Sequence, residues 1–335
     1  MAGSSQDNCS YTACPDYGHL GVAFVCYKGY YLPSYFQEDK IMDRELEDFD
    51  LTKDDVLVVG FPKSGTSQMI WLLREMYADW DLVNVLNRNV VPMLEWCVNQ
   101  QHTEGTSGIA KKTFLEDPCL SGSGRRLIKS HLPYDMLPRT ARSGDSCKII
   151  YVTRNPKDVC ANFYYLERSY LPMTSPDVVM TWEEFVTNFV EGRVVYGPWM
   201  NVVMEWWQHR ADENILHVTY EDLITNPTDV IKMVAEFLGR PLTDKVIKTI
   251  AAFTTSEEKV IKVGGVQFKK GVTGEWKNHF TKEQSDLYDR TIGVGLAYKG
   301  LDFLYEPVGN KLAFDYNVTN RFGFTFTINT PSTSM

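Results

Sequence analysis

The sequence predicts an α/β fold: a single domain with a central parallel sheet flanked by helices and a P-loop-like turn for an anion. Three observations carry this. Four short apolar runs, at 56–61, 126–128, 148–153 and 215–219, are separated by stretches whose apolar residues recur at helical spacing. Each run meets polar or charged residues at its C-terminal end, where ligand sites of parallel sheets lie. The first run also passes directly into Pro62-Lys63-Ser64-Gly65-Thr66-Ser67, a polar turn that opens a helix.

At 335 residues the chain is long enough for a sizeable core, and 44% hydrophobic with 23% charged residues is ordinary for a globular protein. We read residues 1–27 as a flexible N-terminal segment, 28–305 as the domain and 306–335 as a polar, Asn/Thr-rich tail. A net charge of -9 argues against a nucleic-acid partner, so any basic cluster should be local and belong to a site. Cys9, Cys14, Cys26, Cys97, Cys119, Cys147 and Cys160 contain no C-x-x-C pair, which suggests reduced thiols with neither a disulfide framework nor a metal site. No run reaches membrane-spanning length and no signal peptide is evident. The expected location is therefore cytoplasmic, with no membrane partner.

Taken in order, Tyr27, Tyr30, Tyr31, Tyr35 and Phe36 form an aromatic cluster, and the acidic stretch 45–50 reads as a solvated face. Val56-Leu57-Val58-Val59-Gly60-Phe61 is a strand buried on both faces. After the turn, Met69, Ile70, Leu72, Leu73, Met76 and Tyr77 make the apolar stripe of a helix. Apolar 91–96 gives way to a Gly-rich polar stretch, 100–124, which reads as a long loop of the kind that serves as a lid. Arg126-Leu127-Ile128 is a strand that delivers Lys129-Ser130-His131, and the strand 148–153 delivers Arg154, with Asn155-Pro156 and Asp158 starting a helix. Helices are expected at 182–190 and 199–209, with Trp206 and Trp207 in the core. The strand 215–219 follows, and then helices at 229–238 and 243–253, the first stopped by Gly239. Residues 271–276 read as loop.

The turn after the first strand aims free backbone N–H groups, a helix N-terminus, Lys63 and three hydroxyls at one point, an arrangement suited to phosphate or sulfate. It is not the nucleotide-kinase P-loop. After Gly60 the next glycine is Gly65, Thr66 stands where that motif has Lys, and Lys63 precedes the second glycine. A nucleoside-phosphate kinase is thereby disfavoured. Lys63, Lys129 and Arg154 each sit at or near a strand end, so three cations converge where Brändén's rule puts a ligand.

Four motifs in one order, 61–67, Lys129-Ser130-His131-Leu132-Pro133, 151–159 and 269–280, resemble those of the cytosolic sulfotransferase family across roughly residues 28–300. That family moves the sulfuryl group of 3′-phosphoadenosine 5′-phosphosulfate (PAPS) to hydroxyls or amines of small molecules, leaving adenosine 3′,5′-bisphosphate. The resemblance implies that Lys63, Ser64, Gly65, Thr66 and Ser67 cradle the 5′-phosphosulfate. It implies that Arg154, Lys269, Lys270 and Gly271 hold the 3′-phosphate, that Gln68, Tyr220 and Thr254 face the adenosine, and that Asn162 is a further cofactor-binding position. His131 corresponds to the general base and Lys129 to the lysine that helps hold the sulfuryl group. No metal is implied.

Several positions depart from the family pattern. Gln68 stands where Trp usually stacks on adenine, Asn162 where Ser is usual, Ser256 for Phe and Lys269 for Arg. Tyr35, Phe36, Phe61, Met93, Leu94 and Leu166 are the candidate lining of the acceptor site. The expected activity is sulfuryl transfer to a small phenol, monoamine, steroid or other alcohol. A relative that binds nucleotide or a hydrophobic ligand without turnover is the alternative that the altered purine shelf keeps open. Family members often pair through a short segment matching Lys277 to Asp286, where Lys282 replaces Val, so self-association is left open.

Overall fold

The structure is a computed structural model that describes residues 12–13, 24–33, 46–77, 93–97, 126–144, 146–174, 180–255, 261–263, 266–268, 273–298, 301 and 303. The stretches 100–124 and 306–335 lie outside the described residues, as do Tyr35 and Phe36. Thr12–Ala13 (β1), Phe24–Tyr27 (β2) and Tyr30–Pro33 (β3) form a small antiparallel sheet. Lys28 and Gly29 make its β2–β3 turn with φ of 51° and 81°, the left-handed pair that a two-residue hairpin favours. Tyr27, Tyr30 and Tyr31 are thus strand residues. β3 is tied to the body of the molecule by Tyr31 N–H to the Gly197 carbonyl at 3.0 Å and Tyr196 N–H to the Tyr31 carbonyl at 2.6 Å.

The central sheet is built from Val56–Val59 (β4), Leu127–Ser130 (β5), Lys148–Thr153 (β6) and Ile215–Thr219 (β7). All pairs are parallel and the spatial order is β5-β4-β6-β7. Between β4 and β6 the direction of winding reverses, and a crevice opens there at the carboxyl ends of the strands. The register aligns Val59 with both Ser130 and Tyr151, so the residues after β4, β5 and β6 emerge side by side. β5 runs two residues further than the sequence indicates, because Lys129 and Ser130 pair with Val58 and Val59 despite their polarity.

The helices are Thr66–Met76 (α1), Leu94–Cys97 (α2), Arg139–Arg142 (α3), Pro156–Thr174 (α4), Trp182–Val190 (α5), Trp199–Gln208 (α6), Tyr220–Thr225 (α7), Pro227–Phe237 (α8), Asp244–Thr255 (α9), Lys282–Tyr288 (α10) and Val294–Tyr298 (α11). Local signals explain several of their starts. Thr181 and Glu184 form a capping box before α5, Thr281 and Gln284 another before α10, and Pro227 occupies the first turn of α8. Ile261–Val263 (β8) and Val266–Phe268 (β9) form a separate hairpin, and a 3-10 turn at Glu275–Asn278 occupies part of what reads as loop. Within 46–50 the acidic side chains are solvated, Glu47 and Asp48 pairing with Arg139 at the surface, and only Leu46 is buried.

One contiguous core holds the sheet to its helices, with Trp206 fully buried and stacked on Tyr151 and Trp207 nearly so. Cys26, Cys147 and Cys160 are free thiols. Among the described residues no helix is long and apolar enough to cross a membrane, and no cluster of three or more His, Cys, Asp or Glu could hold a metal.

Candidate active site

The turn from β4 to α1 is set by two close approaches. A Cβ at Gly60 would lie 2.3 Å from the Val152 carbonyl oxygen, so the end of β4 can pass β6 only as glycine. Gly65, with φ of 103°, caps α1, and a Cβ there would lie 2.4 Å from the Tyr220 ring. Lys63 is also left-handed, at φ 70°, a conformation that a residue with a side chain adopts rarely and mostly where surroundings impose it. In the first turn of α1 the Gln68 N–H returns to the Gly65 carbonyl at 3.0 Å, while the N–H groups of a helix start before it precede any intrahelical acceptor and point with the positive end of the dipole. Ser64 Oγ is buried with no hydrogen-bond partner among the described residues, an orphan that an oxyanion would satisfy. Burial, then the charges of Arg154 and Lys129, lower the Lys63 pKa to about 8.

His131 follows β5 directly and is buried. Its Nδ1 is held against the Gly60 carbonyl, which can only accept, so Nδ1 carries the proton and Nε2 keeps the lone pair. Burial, and secondarily Lys129, push the imidazole well below its ordinary value of 6.5, so the ring is neutral near pH 7. The Tyr196 ring meets it edge-on, centroids 5.4 Å apart. Beneath it lies a carboxylate that the sequence reading did not single out: Glu95 of α2, only 2% exposed, accepts the His131 backbone N–H at 2.6 Å. A bridge between Met93 and Lys129 straps α2 to β5 and brings Glu95 there. Burial raises the Glu95 pKa to about 7, opposed by the His131 amide and by Lys129, whose own pKa burial lowers and Glu95 raises. A charged residue inside the apolar run 91–96 was the available signal.

At the end of β6, Arg154 is 3% exposed, and its guanidinium is 4.2 Å above the Tyr220 ring. Nη1 donates to the Lys63 carbonyl and Nη2 to Asp158, both at 3.4 Å. The two turns at the switch point are therefore in direct contact. Tyr220 starts α7 beside both. Asn162, half-buried one turn along α4, donates Nδ2 to the Asp158 carbonyl at 2.8 Å. Gln68 is half-buried in the first turn of α1, and Ser67 is exposed. Thr254 falls in the last turn of α9. Lys269, Lys270, Gly271 and Ser256 lie outside the described residues.

A family model described as a sulfotransferase domain matches residues 53–300, which includes every element from β4 to α11. The chain belongs to the sulfotransferase family. It is 34% identical to sulfotransferase 1A1 of Mus musculus over 282 residues, covering 78% of this chain and 90% of that protein. It is 31% identical to sulfotransferase 1A1 of Canis lupus familiaris over 307 residues, covering 86% and 97%. Among solved structures it is similar to mouse sulfotransferase SULT7A1 complexed with PAP, with a TM-score of 0.62 and 26% identity over 82% of this chain and 95% of that one. Retinol dehydratase complexed with retinol and PAP shares the fold, with a TM-score of 0.65 and 20% identity over 86% and 94%.

Within this sulfotransferase chain the anion turn, Lys129, His131, Arg154 and Tyr220 gather at one end of the sheet. The candidate acceptor residues divide. Phe61 is fully buried, edge-on to Phe163 and Phe189, and Leu94 is fully buried too, so both pack the core behind the crevice. Met93 is 8% exposed and Leu166 half-buried.

Proposed function

We propose that this chain transfers the sulfuryl group of PAPS to a hydroxyl or amine of a small molecule, such as a phenol, monoamine, steroid or other alcohol, with His131 as general base. The observation that carries the proposal is the meeting of three cations, Lys63, Lys129 and Arg154, with a histidine fixed in the Nε2-basic tautomer. Membership of the sulfotransferase family and the likeness to a PAP-bound relative support PAPS as donor and adenosine 3′,5′-bisphosphate as product.

PAPS supplies an activated sulfuryl group whose S–O bond to phosphate breaks as a new S–O or S–N bond forms. His131 Nε2 takes the acceptor proton, a role worth roughly 10² to 10⁴ in rate. Lys63 neutralises the charge that grows on the departing phosphate oxygen, and Lys129 offers positive charge beside the transferred group. Ser64, Gly65, Thr66 and Ser67 hold the 5′-phosphosulfate. Arg154, with Lys269, Lys270 and Gly271, holds the 3′-phosphate, Gln68, Tyr220 and Thr254 face the adenosine, and Asn162 is a further cofactor-binding position. The second reading, a binder with weakened turnover, rests on the departures from the family pattern at Gln68, Asn162 and Ser256.

Transfer of radiolabel from PAPS across a panel of phenols, amines and alcohols tests the proposal. His131→Ala is expected to lower turnover by at least 10² while leaving adenosine 3′,5′-bisphosphate affinity within about twofold. No transfer to any acceptor by the wild type would sink the enzyme reading. Parallel loss of nucleotide binding in His131→Ala would make that residue structural.

A further inference from the structure

A buried carboxylate beside a phosphate-binding arginine looks out of place, and Asp158 is one. It lies in the first turn of α4, fully buried, and each of its oxygens is engaged. Oδ2 accepts from Arg154 Nη2 at 3.4 Å, from Asn155 Nδ2 at 3.0 Å and from the Gly274 backbone N–H at 2.9 Å. Oδ1 accepts from the Trp276 backbone N–H at 2.9 Å. Its own carbonyl accepts from Asn162. Gly274 and Trp276 belong to a segment more than a hundred residues away in sequence. The neighbouring Lys157 fixes the same segment from the other side: Nζ donates to Ser285 at 2.7 Å and Asp289 at 2.8 Å, and sits 4.5 Å over the Trp276 ring.

We infer that Asp158 is the positioning residue of the 3′-phosphate clamp, holding Arg154 and the turn at Gly274 to Trp276 in one arrangement before nucleotide arrives. The inference rests on the PAPS reading above. Three contacts fix the guanidinium plane: Asp158 on one nitrogen, the Lys63 carbonyl on another, and the Tyr220 ring across its face. A planar fork is useful to a phosphate only when so oriented. The same carboxylate takes the backbone N–H groups of Gly274 and Trp276, so the turn that follows in sequence the positions proposed for the 3′-phosphate is fixed by the group that orients Arg154. Its negative charge also neutralises the buried arginine, whose burial alone would be costly. Asp158 touches no reacting atom in this account. Its effect should appear in recognition of one phosphate and not in the chemical step.

The test compares adenosine 3′,5′-bisphosphate with adenosine 5′-phosphate by calorimetry on the full chain. The wild type is expected to prefer the bisphosphate strongly, and Arg154→Ala to lose that preference. Asp158→Asn should weaken the bisphosphate at least tenfold while changing adenosine 5′-phosphate less than twofold, with single-turnover kcat at saturating PAPS nearly unchanged. An unchanged preference in Asp158→Asn would overturn the inference and leave the site reading standing. A wild type without preference would overturn the placement of the 3′-phosphate, and Asp158's role with it. Hydrogen exchange on the wild type needs no variant to fold: the Gly274 and Trp276 amides should slow further with the bisphosphate and not with adenosine 5′-phosphate. Equal slowing by both nucleotides, or by neither, would count against the coupling.

Discussion

His131 and Lys63 are shifted in the same direction by burial, and the roles proposed for them, base and charge stabiliser, need opposite outcomes. A base must be neutral, so lowering the imidazole below 6.5 keeps His131 competent into mildly acidic solution. A charge stabiliser must stay protonated, and Lys63 at about 8 begins to lose its proton just above neutrality. The sign follows for the free enzyme, whose groups kcat/KM reports. With PAPS varied, kcat/KM should be flat through neutral pH and fall above about 8 as Lys63 deprotonates. Lys63→Arg carries a guanidinium that stays charged, so its lower kcat/KM should lose that alkaline limb. A limb that stays in place in the arginine variant would assign the titration to another group, Lys129 first.

Among the elements, the turns that follow the parallel strands hold the residues proposed for recognition, and they were the most legible part of the chain. Lys63 to Ser67, Lys129 to His131 and Arg154 could be found because a polar cluster following a buried strand has few structural explanations. Glu95 and Asp158 were harder to find as site residues. The Arg154–Asp158 pair has helical i,i+4 spacing, but the His131 amide on Glu95 and the Gly274 and Trp276 amides on Asp158 are backbone groups brought near by register and by a distant segment, and no local spacing encodes those contacts. That Phe61 is fully buried against Phe163 and Phe189 could not be read in advance, because apolar residues beside a site and apolar residues behind it look alike in sequence. The contact between the first turn and α7 yields a prediction. Gly65→Ala places a methyl 2.4 Å from the Tyr220 ring at a left-handed φ, and Tyr220 is the surface on which Arg154 rests. Adenosine 3′,5′-bisphosphate affinity should fall at least tenfold, with Tyr220 and the 154–158 turn shifting in amide chemical shift. Unchanged affinity and unshifted Tyr220 would mean that the ring can yield without disturbing Arg154.

For the whole molecule, the open matter is whether two copies pair. The segment 277–286, which resembles a pairing segment of family members, here comprises the 3-10 turn's end and the start of α10. Lys282, in place of Val, is 82% exposed and bonded within its own helix to Asp286 at 2.7 Å. An interface around a two-fold axis presents each residue to the same patch on the other copy. Pairing through this segment would therefore bring two ammonium groups together and take two exposed ion pairs out of water. The chain as a whole adds repulsion, with a net charge of -9 on each copy. We expect a monomer in sedimentation velocity at low micromolar concentration. Lys282→Val should shift the equilibrium toward dimer by removing both the like charge and the desolvation of the pair, with no change in melting temperature at concentrations where it remains monomeric. Raised salt should promote pairing of the wild type, since it screens the same repulsion. A wild-type dimer that persists on dilution and cross-links at Lys282 would show that the substitution has been accommodated, with the partner's acidic groups meeting the lysine instead of its counterpart.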